Sequence, residues 1–157
     1  MHAEAVLAFN IALEINPTDA AAAFQKGVAL GHCGDHTTAL EAFDASLAID
    51  PENADTLFEK GLALAEIGRY ADSVAAVDAA LRIDPGNAEF SFQRGRILFR
   101  MERYDESVQA FDAALSRASL GSRALYCRAR ALAQMDRYRD AITAFDQALA
   151  TDPDCVQ

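Results

Sequence analysis

Few groups of side chains in this sequence have the types and spacing that chemistry requires. His32-Cys33-Gly34-Asp35-His36 sets two histidines four apart with a thiol and a carboxylate between them, which looks like a metal-ligand set. The five residues nevertheless span a turn between two helical stretches, where Gly34 has an ordinary place, and no metal site is assigned to them. The chain has no phosphate-binding GxxxxGK[ST], no HExxH, no glycine-rich dinucleotide fingerprint, and no Ser or Cys in a nucleophile motif. Every carboxylate has an ordinary place on a helix surface. No catalytic residue and no cofactor is expected, and the chain is not read as an enzyme.

The cations are more informative. Arg96, Arg100, Arg123 and Arg130 gather toward the C-terminal end, and guanidinium groups are suited to receiving carboxylates through paired hydrogen bonds. A second basic series, Lys26, Lys60, Arg94 and Arg128, suggests phosphate binding at first. A matching acidic series, Asp44, Asp78, Asp112 and Asp146, gives the better account: ion pairs between helices, with the cations' stems lying along apolar surface. Such exposed pairs contribute only about 0–1 kcal/mol each.

Composition narrows the class that must hold these residues. The chain has 157 residues, 34 of them alanine, 52% hydrophobic residues, no tryptophan, and 24 acidic against 14 basic side chains for a net charge of −10. That length suits one domain, and its charged content argues against both disorder and a membrane protein. No apolar run approaches the roughly 20 residues a spanning helix needs, and no basic segment precedes an apolar one as in a secretory leader. A chain so acidic repels phosphate backbones, so nucleic acid is not an expected partner. Cys33, Cys127 and Cys155 are odd in number and far apart, which suits reduced thiols and a cytoplasmic location.

A period organises the chain. Pro17, Pro51 and Pro85 stand at equal intervals, Pro153 lies two intervals further on, and Ser119 fills the skipped slot. Gly27, Gly61 and Gly95 recur at the same interval with Ala129 in the fourth slot, followed by Leu30, Leu64, Leu98 and Leu132. Further columns read Phe9, Phe43, Val77, Phe111, Phe145 and Leu13, Leu47, Leu81, Leu115, Leu149. Ala5 and Ala39, Ala12 and Ala80, and Ala114 and Ala148 also sit in recurring columns, where close helix approach needs small side chains. Each period divides into two helical stretches. In 54–67, Leu57, Gly61 and Leu64 are spaced by four and three, one stripe of a helix. After a break at Gly68-Arg69, Asp72 occupies the first turn of a second helix, where a carboxylate meets unpaired N–H groups. That helix runs through Val74, Val77, Leu81 and Ile83 and stops at Asp84-Pro85, because proline cannot donate the helical bond. Helices this short must bury their stripes on neighbours.

These columns, with the tyrosines at Tyr70, Tyr104 and Tyr138, resemble the tetratricopeptide repeat family. The resemblance covers nearly the whole chain, 1–157: four full repeats (20–53, 54–87, 88–121 and 122–155) after the second helix of an incomplete one (2–15). It implies an all-α fold, an α-solenoid in which antiparallel helix pairs form a right-handed superhelix, first helices lining a concave groove. The family's large aromatic in the first helix is replaced by Ala23, Leu57, Ser91 and Leu125, which predicts looser packing inside some repeats. The junction 117–121 lacks the Asp-Pro stop and predicts an altered turn.

The resemblance also implies a function, since the family's members typically hold a peptide or protein segment in the groove without catalysing a reaction. Opposite the core stripe, Phe24, Phe58, Phe92 and Tyr126 recur at the same period, on the concave side. Two readings stand side by side: rings that merely pack on the next repeat, or four partly exposed rings that form an apolar floor for a ligand. One turn along, the face runs Val28, Leu62, Arg96, Arg130; Arg100 and Arg123 join the basic end, while Asp55, Glu59 and Glu66 make the middle acidic. Residues 1–87 hold 4 basic and 14 acidic side chains, and 88–157 hold 10 of each. An acidic-apolar end and a cationic end would fix the direction of a bound segment, with Arg96, Arg100 and Arg130 receiving its carboxylates; a solvated charged face is the plainer alternative. The pattern of the family's subset that clamps acidic chaperone tails is not matched, so no tight binding to such tails is expected.

Neither end carries a polar capping element. The first helix, with Ala5, Leu7, Phe9 and Ala12, lacks its partner helix, and only a few residues follow the last one, with Ile142, Phe145 and Leu149. An excised segment of a longer protein, or end-to-end self-association through these helices, would account for that. The leading functional expectation is a non-catalytic scaffold for protein or peptide segments, without nucleic acid or membrane partners. The alternatives are the recognition arm of a larger enzyme, such as a transferase with its catalytic domain outside this chain, and a sensor whose curvature changes on binding.

Overall fold

Asp19, Asn53 and Asn87 occupy the same slot of successive repeats, and each accepts a hydrogen bond from a backbone N–H further along the chain: Ala22 at 2.9 Å, Thr56 at 2.9 Å and Phe90 at 3.2 Å. These side chains satisfy donors that a helix start leaves unpaired, and so fix where three first helices begin. The computed structural model describes residues 2–116 and 121–152. Among them the chain forms α1 (His2–Ile15), α2 (Ala20–His32), α3 (His36–Ile49), α4 (Ala54–Glu66), α5 (Tyr70–Ile83), α6 (Ala88–Arg100), α7 (Tyr104–Leu115), α8 (Gly121–Gln134) and α9 (Tyr138–Thr151), and no strand. The fold is an all-α solenoid. The chain divides into two compact units, 1–85 with α1 to α5 and 86–157 with α6 to α9.

The second helices start differently. Arg69, Arg103 and Arg137 occupy the N-cap positions of α5, α7 and α9 and make no capping bond of their own. Each instead pairs with a carboxylate in the first turn, Asp72, Glu106 and Asp140, at 2.6, 2.6 and 2.5 Å. The acid thereby stays where it faces free N–H groups and the positive end of the helix. The preceding loop positions are Gly34 and Gly68, both at φ +80°, then Glu102 at φ +60° and Asp136 at φ +58°. Side chains rarely adopt that left-handed backbone, because Cβ crowds the carbonyl. Gly68→Ala should therefore cost about 1 kcal/mol, while Glu102→Gly should gain a few tenths up to about 1 kcal/mol. Urea midpoints compare the two, and the opposite ranking would show that these loops do not carry the strain.

Within the first unit, Leu30, Ala39, Ala42, Phe43 and Ala63 form a buried cluster against which Val6, Phe24, Val28 and Leu40 pack. In the second unit, Phe92, Phe111, Ala114 and Ala124 form one cluster, and Val108, Ala129, Ala131, Leu132, Ala141 and Ala144 another. The periodic glycines are contact points between the two helices of a pair: a Cβ on Gly27 would lie 2.5 Å from the Phe43 ring, and one on Gly61 2.7 Å from Val77. Ser73 and Ser107 seal two of these pairs by donating to the carbonyls of Gly61 and Gly95 at 2.6 and 2.8 Å.

The substituted first-helix column behaves in two ways. Ala23 and Ser91 are buried, whereas Leu57 and Leu125 are half-buried and line open grooves of about 360 and 470 Å³. The cation–carboxylate ladder takes shape as Lys60 Nζ donating to Asp44 and Arg128 Nε donating to Asp112, both at 2.6 Å. Residues 117–120 of the altered junction lie outside the described residues. On its two sides, α7 is shorter than α3, α5 and α9, and α8 begins at Gly121.

Candidate functional site

The arginines that the sequence singles out come from α6 and α8 of the second unit. Arg96 and Arg100 are one turn apart on α6, and Arg123 and Arg130 lie two turns apart on α8; all four are exposed. Arg96, Arg100 and Arg130 line one cleft of about 290 Å³, together with Phe99, Phe111 and Cys127. Aromatic rings hold two of the guanidinium groups. Arg123 Cζ stands 5.1 Å over the Phe92 ring, and Arg130 Cζ stands 5.1 Å over Phe99 and 5.9 Å over Tyr126. Stacking on a ring face leaves the N–H edges of a guanidinium free for an acceptor. Arg96 is oriented by a neutral group, donating to Gln93 Oε1 at 2.9 Å, and Gln93 in turn donates to Glu89 at 2.6 Å.

Among the described residues none of the four arginines forms an ion pair, whereas Arg69, Arg103, Arg128 and Arg137 each do. Cys127 does not supply the missing negative charge. Burial raises its thiol pKa, and this outweighs the opposing pull of Arg130, Arg96 and Arg123, so the sulfur stays protonated at neutral pH.

Of the two readings of the aromatic column, the packed one describes two of its four rings. Phe92 is 2% exposed and packs on Phe111 with ring centroids 5.7 Å apart, and Phe58 is 8% exposed among the buried residues of α4. Both rings belong to the core. Phe24 and Tyr126 remain half-buried, leaning on Phe43 at 6.2 Å and on Phe145 at 5.6 Å. Two residues of the cleft escaped the sequence reading. Phe99 carries Arg130 and is held edge-on by Tyr104 at 5.3 Å, yet its column otherwise reads Gly31, Ala65 and Ala133, so one large ring in a small-residue column was the available signal. Cys127 likewise departs from a polar column of Gln25, Glu59 and Gln93.

The first unit presents the opposite charge. Asp55 is exposed on α4, Glu59 is half-buried one turn on, and Val28 and Leu62 are half-buried. Burial raises the Glu59 pKa, with Asp55 adding to the rise and His32 opposing it. A raised folded pKa means that the folded state binds the proton more tightly than the unfolded chain. The associated stability is present below about pH 4.5 and is lost as pH climbs through the folded value. Glu59→Gln should therefore stabilise the protein at pH 7 and bring no advantage at pH 4, as thermal melts at the two pH values would show. An equal gain at both would remove desolvation as the cause.

In the histidine-containing turn, Asp35 caps α3 by accepting from Thr38 N–H at 3.2 Å, and Thr38 is the main cause of its lowered pKa. His32 lies against His2 with ring centroids 5.0 Å apart. Among the described residues no three His, Cys, Asp or Glu side chains are grouped to hold a metal ion, and no helix is long and apolar enough to cross a membrane.

Comparison with known proteins places this arrangement. No curated protein sequence matches the chain. Among solved structures, the crystal structure of MamA superposes with a TM-score of 0.90 at 18% identity, over 94% of this chain and 86% of that one. A MamA structure from Desulfovibrio magneticus RS-1 gives 0.80 at 22% identity over 85% and 76%. YrrB, described as a TPR protein with an unusual peptide-binding site, gives 0.86 at 21% identity over 99% and 80%. At these identities the likeness speaks for the fold alone. Tetratricopeptide repeat models match residues 34–88 and 92–154, and a further one matches 8–41. Together with the fixed period of the sequence and the paired helices, these matches show that the chain belongs to the tetratricopeptide repeat family.

Proposed function

We propose that this chain is a non-catalytic interaction scaffold whose second unit holds an acidic segment of a protein or peptide. The helix pairs are read as repeats 20–53, 54–87, 88–121 and 122–155 after a half repeat, 2–15. The observation that carries the reading is the set of four guanidinium groups, two of them over aromatic rings, that form no ion pair among the described residues of a chain of net charge −10. Like charges brought together repel, and a ligand's carboxylates relieve that repulsion while forming charge-assisted hydrogen bonds. Phe99 and Tyr126 beside the arginines suit an apolar side chain next to the acid. The first unit has the reverse charge, since Asp55 and Glu59 on α4 favour a basic residue.

A fluorescein-labelled peptide with an Asp-Glu pair beside phenylalanine tests the reading by fluorescence anisotropy. Binding should be saturable, of the order of micromolar, and should weaken steeply as salt is raised. A peptide with lysines in place of the acids should not bind. Equal binding of the two peptides, or indifference to salt, would remove the arginines from the interaction.

A further inference from the structure

The outer face of α9 repeats a surface that α3 and α7 keep covered. On α7, Val108 is 7% exposed in a cluster with Leu132 and Ala129 of α8; at the equivalent position of α9, Ile142 is 60% exposed. Leu115 is half-buried, and its α9 counterpart Leu149 is 43% exposed. The carboxylate column shows the same break. Asp44 on α3 and Asp112 on α7 each receive a cation from the helix that follows, Lys60 and Arg128, at 2.6 Å. All three carboxylates are exposed, but Asp146, one period after Asp112, forms no ion pair among the described residues. Ile142, Asp146 and Leu149 are spaced by four and three, so they lie on one helix face.

The helices that cover α3 and α7 share a pattern. Leu57, Lys60 and Leu64 on α4 recur as Leu125, Arg128 and Leu132 on α8, a leucine stripe interrupted by one cation. We propose that the Ile142–Asp146–Leu149 face of α9 docks an amphipathic helix of a partner chain with the sequence pattern Leu-x-x-(Lys/Arg)-x-x-x-Leu. The leucines would cover Ile142 and Leu149, and the cation would bind Asp146 as Lys60 binds Asp44. Asp146 also supplies the selectivity, because a helix with an acid at the central position would set two like charges together.

The probe is a labelled, hydrocarbon-stapled peptide of residues 54–67, stapled on the face opposite Leu57, Lys60 and Leu64, titrated against the whole chain. Saturable binding is expected. Asp146→Lys should weaken it about tenfold, and a Lys60→Glu peptide should recover that loss on the Asp146→Lys protein. Ile142→Glu should abolish binding and leave the circular-dichroism melt unchanged, since the side chain is exposed. Absence of binding, or binding indifferent to Ile142→Glu, overturns the proposal. Light scattering at rising concentration supplies another decision: a self-association that Ile142→Glu dissolves would assign this face to a second copy of the chain and overturn the partner helix.

Discussion

Reversing Arg96 and Arg130 to glutamate together is expected to weaken binding of the acidic peptide by roughly a hundredfold or more, while the helical melt changes little. Hydrogen bonds to charged groups contribute about 1.5–3 kcal/mol each, so losing two removes about 3 kcal/mol before any new repulsion is counted. At about 1.4 kcal/mol per tenfold, that is roughly two orders of magnitude in Kd. The fold should tolerate the change because both side chains are exposed and neither is in an ion pair among the described residues. What it loses is the stack of Arg130 on Phe99, about 0.5–1 kcal/mol at an exposed site, offset by relief of repulsion with Arg100 and Arg123. Arg130→Lys separates the two roles. It keeps the charge but loses the flat stacked fork, and it should weaken binding by less than the reversal. Arg69→Glu, in the other unit and engaged with Asp72, adds half the negative charge of the double reversal away from the cleft and should leave the peptide's affinity unaltered. Unchanged affinity in the double reversal would sink the arginine site.

How far the sequence discloses this site follows from what each residue type reports. The helix pairs are legible because Gly27, Gly61 and Gly95, with the leucines that follow them, can recur at one fixed spacing only if each unit packs in the same way. The ion-pair ladder is legible for the same reason: Lys60 follows Asp44 at the interval at which Arg128 follows Asp112, and both pairs form. The aromatic column misleads because a ring is as well suited to the core as to a groove. Phe24 leans on Phe43 and Phe92 on Phe111, rings of one column, yet only Phe92 is buried, with the Arg123 guanidinium over it from the next helix pair. Phe99 on α6 meets Tyr104 of α7 and Arg130 of α8, and Cys127 on α8 shares the cleft with Arg96 and Arg100 of α6, contacts that no spacing within one helix encodes. Departures from a column, more than the column itself, mark the cleft: a large ring among small residues, and a thiol among amides and acids.

The close approach behind the glycine column should also set the most sensitive point of the second unit's stability. Gly95→Ala would place Cβ 2.6 and 2.8 Å from Cε1 and Cδ1 of Phe111, distances that real contacts do not sustain. The ring has little room to retreat. It is 1% exposed, packed on Phe92 and in one cluster with Ala114 and Ala124. Overpacking of this kind typically costs about 1–3 kcal/mol, and the better helix propensity of alanine returns only about 0.5–1 kcal/mol. A net loss of about 1–2 kcal/mol is expected as a lower denaturant midpoint. Phe111→Leu alone should cost a similar amount, about 1–2 kcal/mol, by leaving a cavity. Together the two changes should cost less than their sum, since the methyl group then occupies space the ring has vacated. The fourth repeat shows how a ring gives way to a methyl group without being lost: Ala129 stands in the glycine column, and Phe145, one period after Phe111, is half-buried and turned edge-on to Tyr126. Additive losses in the double variant would show that Gly95 is held for some reason other than the Phe111 ring. Phe111 also lines the arginine cleft, so the same variants tie packing to binding. Under conditions where Gly95→Ala is still fully folded, the acidic peptide should bind it more weakly than the wild-type chain, because the displaced ring narrows the space between Arg96 and Arg130.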